Sequence, residues 1–340
     1  MSTKKAVVLL GFGGPQSLDE VELFLKQLFS DPVLFDYPKF FRNFLAWALV
    51  KKNLKRSRAV YASIGGGSPY VLETHKQAKM LQEALGNKIK VFAAMRYGKP
   101  DFSGVMQEVI SFSPEEVLLL PMYPHFSMTT TRSAFLEWQR LSYIFGNRKT
   151  KEICCYPIHP GFTQAYGDLL LQSLQKIKNL KNARVLFSAH GTPMSFVKSG
   201  DPYTQQIESS YKNIWRYIEK FLKVVPESLV CYQSKVGPMR WTEPSLIDEI
   251  KRAGSEKKSL VVLPISFISE HSETLAELDI EAAELAESCG VPQFIRVPTV
   301  SCHPKFIKGL ADIVQNDSVV FRNCSIENKQ CWRSKSYKVF

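Results

Sequence analysis

Apolar residues fall along this chain in short runs, each soon followed by glycine or proline. Residues 7–10, 90–95, 116–120, 184–187, 228–232 and 259–263 are aliphatic or β-branched stretches of strand length. They alternate little, which predicts strands buried in parallel sheets. Ser17 with Glu20 predicts a capping box that opens a helix towards residue 29, with Val21, Phe24, Leu25 and Leu28 on one face. Residues 73–85 predict another helix. The last strand turns within a few residues into a helix, so residues 263–281 form a junction of the kind where ligands bind in open parallel α/β sheets. Glu273, Glu277 and Glu281 recur there every fourth residue, opposite Leu275, Leu278, Ala282 and Leu285. Taken alone, that stripe is the wet side of an amphipathic surface helix.

The two halves share a grammar. A strand followed by Gly and Pro opens each, at Val7 and at Val185, and a strand, a base, Gly and Pro come next at Phe92 and at Val230. First to third strand takes roughly 110 residues in the first half and roughly 75 in the second, and an aromatic insert over about residues 32–60 accounts for most of the difference. The expectation is an α/β protein of two similar domains, residues 1–150 and 151–316, with a tail over 317–340 and the active-site cleft between the strand ends of the two domains.

With 340 residues, 45% of them hydrophobic, the chain has enough apolar material for a core. No apolar run approaches the length of a membrane span, and residues 1–5 lead straight into a strand, which predicts a cytoplasmic protein. Seven scattered cysteines predict reduced thiols. A net charge of +12 suits nucleic acid, an anionic membrane or an acidic ligand, and its distribution separates them. Lys51, Lys52, Lys55, Arg56 and Arg58 directly follow Phe40, Phe41, Phe44, Leu45, Trp47, Leu49 and Val50. That is the pattern of an interfacial helix, so residues 40–58 predict peripheral attachment to the inner face of the cell membrane, and no nucleic acid partner is expected; a core helix with a basic cap is the competing reading.

Gly11, Gly13 and Gly14 lack the dinucleotide fingerprint and a P-loop lysine. Ile64-Gly65-Gly66-Gly67-Ser68-Pro69 is a backbone that can approach something closely, or a plain flexible loop. His190 stands after a strand in a Gly-Pro turn, where an imidazole facing a carboxylate such as Glu273 can bind a divalent ion or move protons. With neither tight His-rich spacing nor a closed cysteine tetrad, such an ion would be only partly coordinated by protein.

Ser188-Ala189-His190, Gln233-Ser234-Lys235-Val236-Gly237-Pro238-Met239 with Trp241, Ile64 to Pro69, Gly200-Asp201-Pro202-Tyr203, and Glu270-His271-Ser272-Glu273-Thr274-Leu275 with Asp279-Ile280-Glu281 together resemble the motifs of the ferrochelatase family. The resemblance implies two Rossmann-like domains of the class II chelatase type, no bound nucleotide, and insertion of Fe2+ into protoporphyrin IX, with release of two protons, as the last step of haem biosynthesis. It implies that His190 takes pyrrole protons or holds the metal, that Glu273 shares the metal, with His271 as a catalytic neighbour, and that Glu277 and Glu281 form a metal or proton path. It places Phe12, Tyr61, Arg96, Tyr97, Tyr123 and Trp241 around the macrocycle. Aromatic walls and an arginine suit a flat apolar disc with acidic propionates. Phe12, where some members acting on coproporphyrin carry tyrosine, together with the Gly13-Gly14-Pro15 that follows, points to protoporphyrin.

No cofactor is required, since Fe2+ is substrate. Cys324 and Cys331 resemble ligands of a C-terminal iron-sulfur cluster, but a cluster normally takes four thiolates; Met128 stands at the distant ligand position of animal-type members and Arg333 at the third tail position of another bacterial pattern, Cys154 or Cys155 and Cys302 are the candidate substitutes, and free thiols are expected. The competing functions are a non-catalytic two-lobed tetrapyrrole or metal carrier and a chelatase for another metal or for coproporphyrin.

Overall fold

The computed structural model describes residues 4–145, 150–235, 237 and 239–316. It divides into two units: the first holds the chain up to Tyr123, Ser127–Cys154 and Glu270–Ser272, and the second holds Pro124–Phe126, Cys155–Ser269 and the chain from Glu273 onward.

In the first unit β1 (Lys5–Gly13) lies between β2 (Ile89–Tyr97) and β3 (Glu116–Pro121), and β4 (Thr150–Glu152) extends the sheet beyond β3, giving the order β2-β1-β3-β4. Every pairing is parallel. Residues 6–10 are fully buried, as a central strand covered on both faces requires. Ala6, Val8 and Leu10 pack on α4 (Phe102–Phe112) and α5 (Ser133–Phe145) through Phe102, Val105, Phe135 and Trp138. A separate cluster joins α1 (Val21–Phe29) and α2 (Lys39–Ser63) through Val21, Phe24, Leu25, Val50, Tyr61 and Tyr97. The connection from α2 to β2 is α3 (Tyr70–Leu85).

The second unit repeats the plan. After α6 (Pro160–Leu174), β5 (Ala183–His190) is central to the parallel sheet β6-β5-β7-β8, formed with β6 (Glu227–Gln233), β7 (Ser259–Pro264) and β8 (Phe294–Arg296). Its helices are α7 (Met194–Lys198), α8 (Tyr203–Glu219), α9 (Leu246–Ser255), α10 (Ser272–Leu275), whose first residue counts with the first unit, α11 (Ala283–Ser288) and α12 (Pro304–Gln315). β4 and β8 are three-residue edge strands, half-buried and too short to show a period, so the sequence pattern does not announce them.

Two local expectations are corrected. Ser17 makes no side-chain cap bond, because a 3₁₀ turn over Leu18–Glu20 precedes α1; Glu20 Oε2 accepts instead from the Gln16 amide at 2.9 Å, one residue earlier than a capping box would place it. The acidic stripe does not ride on a continuous α-helix either. Between α10 and α11, Glu277–Ala282 forms a turn of π-helix, in which the Glu281 amide donates to the Ala276 carbonyl five residues back at 2.9 Å. The first half carries its own π turn at Met128–Arg132, just before α5.

α6 and α12 cross at glycine. A Cβ on Gly161 would lie 2.6 Å from the Lys305 carbonyl oxygen and 2.7 Å from the Gly309 Cα, both backbone atoms that cannot turn aside. Gly161→Ala is therefore expected to destabilise the protein by about 1–3 kcal/mol, read as a lower urea midpoint with an unchanged denaturant slope. The tail positions Cys324, Cys331 and Arg333 lie outside the described residues. Cys154 and Cys155 are buried, and Cys302 is half-buried.

Candidate active site

His190 is the last residue of β5, where the pairing of the central strand with β6 and β7 delivers it to the carboxyl edge of the sheet. Its backbone amide donates to Ser266 Oγ at 3.1 Å, and Ser266 lies in a loop pinned by the Tyr166 hydroxyl, which donates to the carbonyls of Pro264 and Phe267. The ring nitrogen Nδ1 lies 2.6 Å from the Gly191 carbonyl. A carbonyl only accepts, so Nδ1 carries a proton, and whenever the ring holds no second proton the lone pair lies on Nε2. That Nε2 faces Glu273 Oε2 at 3.6 Å.

The Glu273 side chain keeps about a quarter of its surface, 27%, in contact with solvent. Burial nevertheless raises its carboxyl to about 7; the neighbouring His190 pulls it down and Glu277 pushes it up. Gln233 fixes this corner. Its amide nitrogen donates to the Glu273 carbonyl at 2.9 Å and to Glu277 Oε2 at 3.1 Å, while its oxygen accepts from the Ser188 hydroxyl at 2.7 Å. Ser234 donates to the same Glu277 oxygen at 2.5 Å. Glu277 is thus bound to the β6 end, whereas Glu281 is exposed. Trp241 joins the second unit's site through an antiparallel bridge to Pro193, and its ring comes so close to Gly191 that a Cβ there would meet Cε3 at 3.2 Å.

The first unit collects most of the other aromatic positions. Phe12, half-buried, meets Tyr97 edge to face at 5.0 Å and Phe24 at 6.4 Å, and Phe24 meets Tyr61 at 6.4 Å. Tyr61 and Tyr97 belong to the core behind Phe12; Tyr97 is 1% exposed and its hydroxyl donates to Asp31 Oδ2 at 2.6 Å. Both are packed inside the core and offer almost no surface. Arg96 donates to Asp31 at 2.7 Å and to Ser133 at 2.9 Å, so its charge is already balanced. Tyr123 is half-buried just beyond β3. His271 stacks edge to face on Tyr70 at 6.1 Å, and the Tyr70 hydroxyl accepts from the Phe12 amide at 3.2 Å. The structure brings His190, Glu273 and Glu277 together in one unit and Phe12, Tyr61, Arg96, Tyr97 and His271 in the other.

Residues given no role in the sequence have identifiable work here: Asp31 and Tyr70 stand in no motif, and Gln233 and Ser234 enter only as members of the motif that carries the family resemblance. Strand-end position is the signal available for Gln233, which closes the buried run of β6. The glycine loop approaches its own chain: a Cβ on Gly67 would lie 2.4 Å from the Gln16 carbonyl oxygen, and the Ser68 amide donates to the Pro15 carbonyl at 2.7 Å. Among the described residues, no group of three or more His, Cys, Asp or Glu side chains gathers closely enough to hold a metal ion.

Two parallel four-stranded sheets, each with a repeated strand order and helical cover, place the fold with the class II chelatases. SirB from Bacillus subtilis with Fe3+ shares it at a TM-score of 0.57 and 10% identity, over 95% of this chain and 98% of that one. The chain belongs to the ferrochelatase family, whose model matches residues 4–318. Ferrochelatase from Caulobacter vibrioides (strain NA1000 / CB15N) is 41% identical over 98% of this chain and 95% of its own, and Ferrochelatase from Aquifex aeolicus is 43% identical over 92% and 99%.

Proposed function

We propose that this protein inserts Fe2+ into protoporphyrin IX to form protohaem and release two protons. The observation that carries the reading, beside the family, is the His190 Nε2 lone pair held opposite Glu273 at 3.6 Å. The porphyrin must lose two N–H protons before a dication can enter the ring. Nε2 takes one directly, since the Gly191 carbonyl already holds the other ring nitrogen in its protonated form. Imidazole and carboxylate are also suitable donors for ferrous iron in transit, and two protein ligands leave coordination positions for solvent and the incoming pyrrole nitrogens. Phe12, Tyr123 and Trp241 are assigned to the faces and edge of the macrocycle, with Tyr61 and Tyr97 behind Phe12. His271 is assigned, through Tyr70, to the placement of Phe12. Glu277 and Glu281 are assigned to a path between the metal pair and solvent.

The test is anaerobic incubation of the purified protein with protoporphyrin and Fe2+, monitored by absorbance, with cobalt, zinc and nickel and with coproporphyrin as competitors. Haem formation with preference for iron and protoporphyrin is expected. An unchanged porphyrin spectrum would leave a carrier without chemistry, and preference for another metal or for coproporphyrin would move the assignment to that substrate.

We further propose that α2 attaches the protein peripherally to the inner face of the cell membrane, delivering an insoluble substrate. Phe40 is 89% exposed, and Phe41, Phe44 and Trp47 are exposed beside it, with Lys51, Lys52, Lys55, Arg56 and Arg58 further along the same helix. No described helix is long and apolar enough to cross a membrane. Apolar area and basic charge together favour an anionic interface. Flotation with anionic vesicles is expected to recover the protein, and Phe41→Ser with Trp47→Ser to weaken recovery by about tenfold. Equal absence of binding in both would remove the assignment.

A further inference from the structure

We propose that Arg96 is a positioning residue acting through Asp31: the two form a buried latch at the root of α2, and Arg96 does not receive a substrate carboxylate. The inference deepens the porphyrin reading above and rests on it for its effect on substrate.

The Asp31 side chain is fully buried, two residues past the end of α1. Its Oδ2 accepts from Arg96 Nη2 at 2.7 Å, from the Tyr97 hydroxyl at 2.6 Å and from the Ser133 hydroxyl at 2.5 Å. Its Oδ1 accepts from the Val33 amide at 2.7 Å, and its carbonyl accepts from the Phe35 amide at 3.0 Å. One residue therefore ties the end of β2, the start of α5 and the turn that leads into α2. Arg96 is similarly committed, with Nε on Ser133 and the guanidinium 5.0 Å from the Tyr97 ring centroid.

A propionate approaching Arg96 would meet a cation whose charge is already balanced. To take Asp31's place it would have to displace a carboxylate that belongs to the chain and that three other donors hold. The latch instead sets what lies on either side of it. Tyr97 shares its hydroxyl with the latch and its ring with Phe12, Phe24 and the core cluster that seats Val50 and Tyr61 of α2. Loosening Asp31 therefore shifts the wall and frees the helix, whatever charge the substrate carries.

The experiment compares wild type with Asp31→Asn, which keeps the shape of the side chain, with Arg96→Leu, and with the double variant. Two readouts are taken. Tryptic cleavage after the bases of residues 51–58 is measured without porphyrin, and iron insertion is measured with a porphyrin diacid and with its dimethyl ester in detergent. The latch predicts cleavage roughly tenfold faster in both single variants. It also predicts a KM raised by the same factor for diacid and ester with kcat nearly unchanged, and a double variant no worse than Arg96→Leu. Unchanged cleavage, a KM rise confined to the diacid, or additive losses in the double variant would overturn it. Should wild type insert iron into neither porphyrin, the functional reading fails and cleavage alone decides the latch.

Discussion

Replacing His190 with alanine is expected to lower turnover by about 10²–10⁴-fold while leaving porphyrin binding close to that of wild type. The split comes from where the ring sits. Nε2 points at Glu273 and Nδ1 is spent on the Gly191 carbonyl, so in the proposed role the imidazole offers one lone pair, to a proton or to the metal, and little of the surface that would hold a flat apolar ring. The aromatic residues assigned to that surface lie on other elements: Phe12 on β1, Tyr123 beyond β3 and Trp241 before α9. Porphyrin affinity is read by fluorescence quenching, and turnover by haem absorbance under anaerobic conditions. Normal turnover in the variant would remove the role of His190, and lost binding with normal turnover at saturation would make it a wall residue.

Glu273→Gln is expected to lower turnover by about a hundredfold or more and to abolish the rise of activity with pH near neutrality. In wild type the carboxyl is held up to about 7, first by burial and then by Glu277, against the attraction of His190. It gains its charge as the pH passes that value, so the charged donor that the proposed role requires accumulates on the alkaline side. Stability runs the opposite way. With an unfolded value of 4.5 and a folded value of about 7, the native state binds the extra proton between them, and stability falls as pH rises through that window. The glutamine variant is spared the loss. It is expected to be more stable than wild type at pH 8 by no more than about 3 kcal/mol, read as a higher melting temperature, and to match it below about pH 4.5. A variant less stable than wild type at pH 8 would contradict the strained carboxyl. A hundredfold loss of activity coupled to a gain in stability is the signature of a group kept for chemistry.

The six long strands were legible because central strands of parallel sheets must be apolar on both faces, and residues 6–10 and 260–263 show that requirement directly. The pairing of His190 with Glu273 was legible for a related reason, since each stands at or just past the end of such a run and the carboxyl edge of the sheet gathers those positions. The features that stayed hidden depend on long-range geometry. Asp31 finds Arg96 across 65 positions and Ser133 across 102, and no local pattern marks a carboxylate before proline as the centre of such a cluster. The π turn is hidden because Glu273, Glu277 and Glu281 keep a spacing that an α-helix also serves, and it takes hydrogen bonds such as Glu281 to Ala276 to tell them apart. Gln233 was visible as a strand-end residue, but its use of both amide hydrogens and its oxygen on three different groups appears only once β5, β6 and the acidic turn are placed.

The contact between His190 Nδ1 and the Gly191 carbonyl also bears on the energetics of turnover. A free imidazole in water exchanges its proton between two nitrogens and must settle on one, and turn its ring, before it can act. Here the Gly191 carbonyl holds Nδ1 in its protonated form, and the Trp241 ring lies close beside Gly191. In the proposed role, a base held in this way starts each catalytic cycle without the change of tautomer and turn of the ring that a mobile imidazole must make.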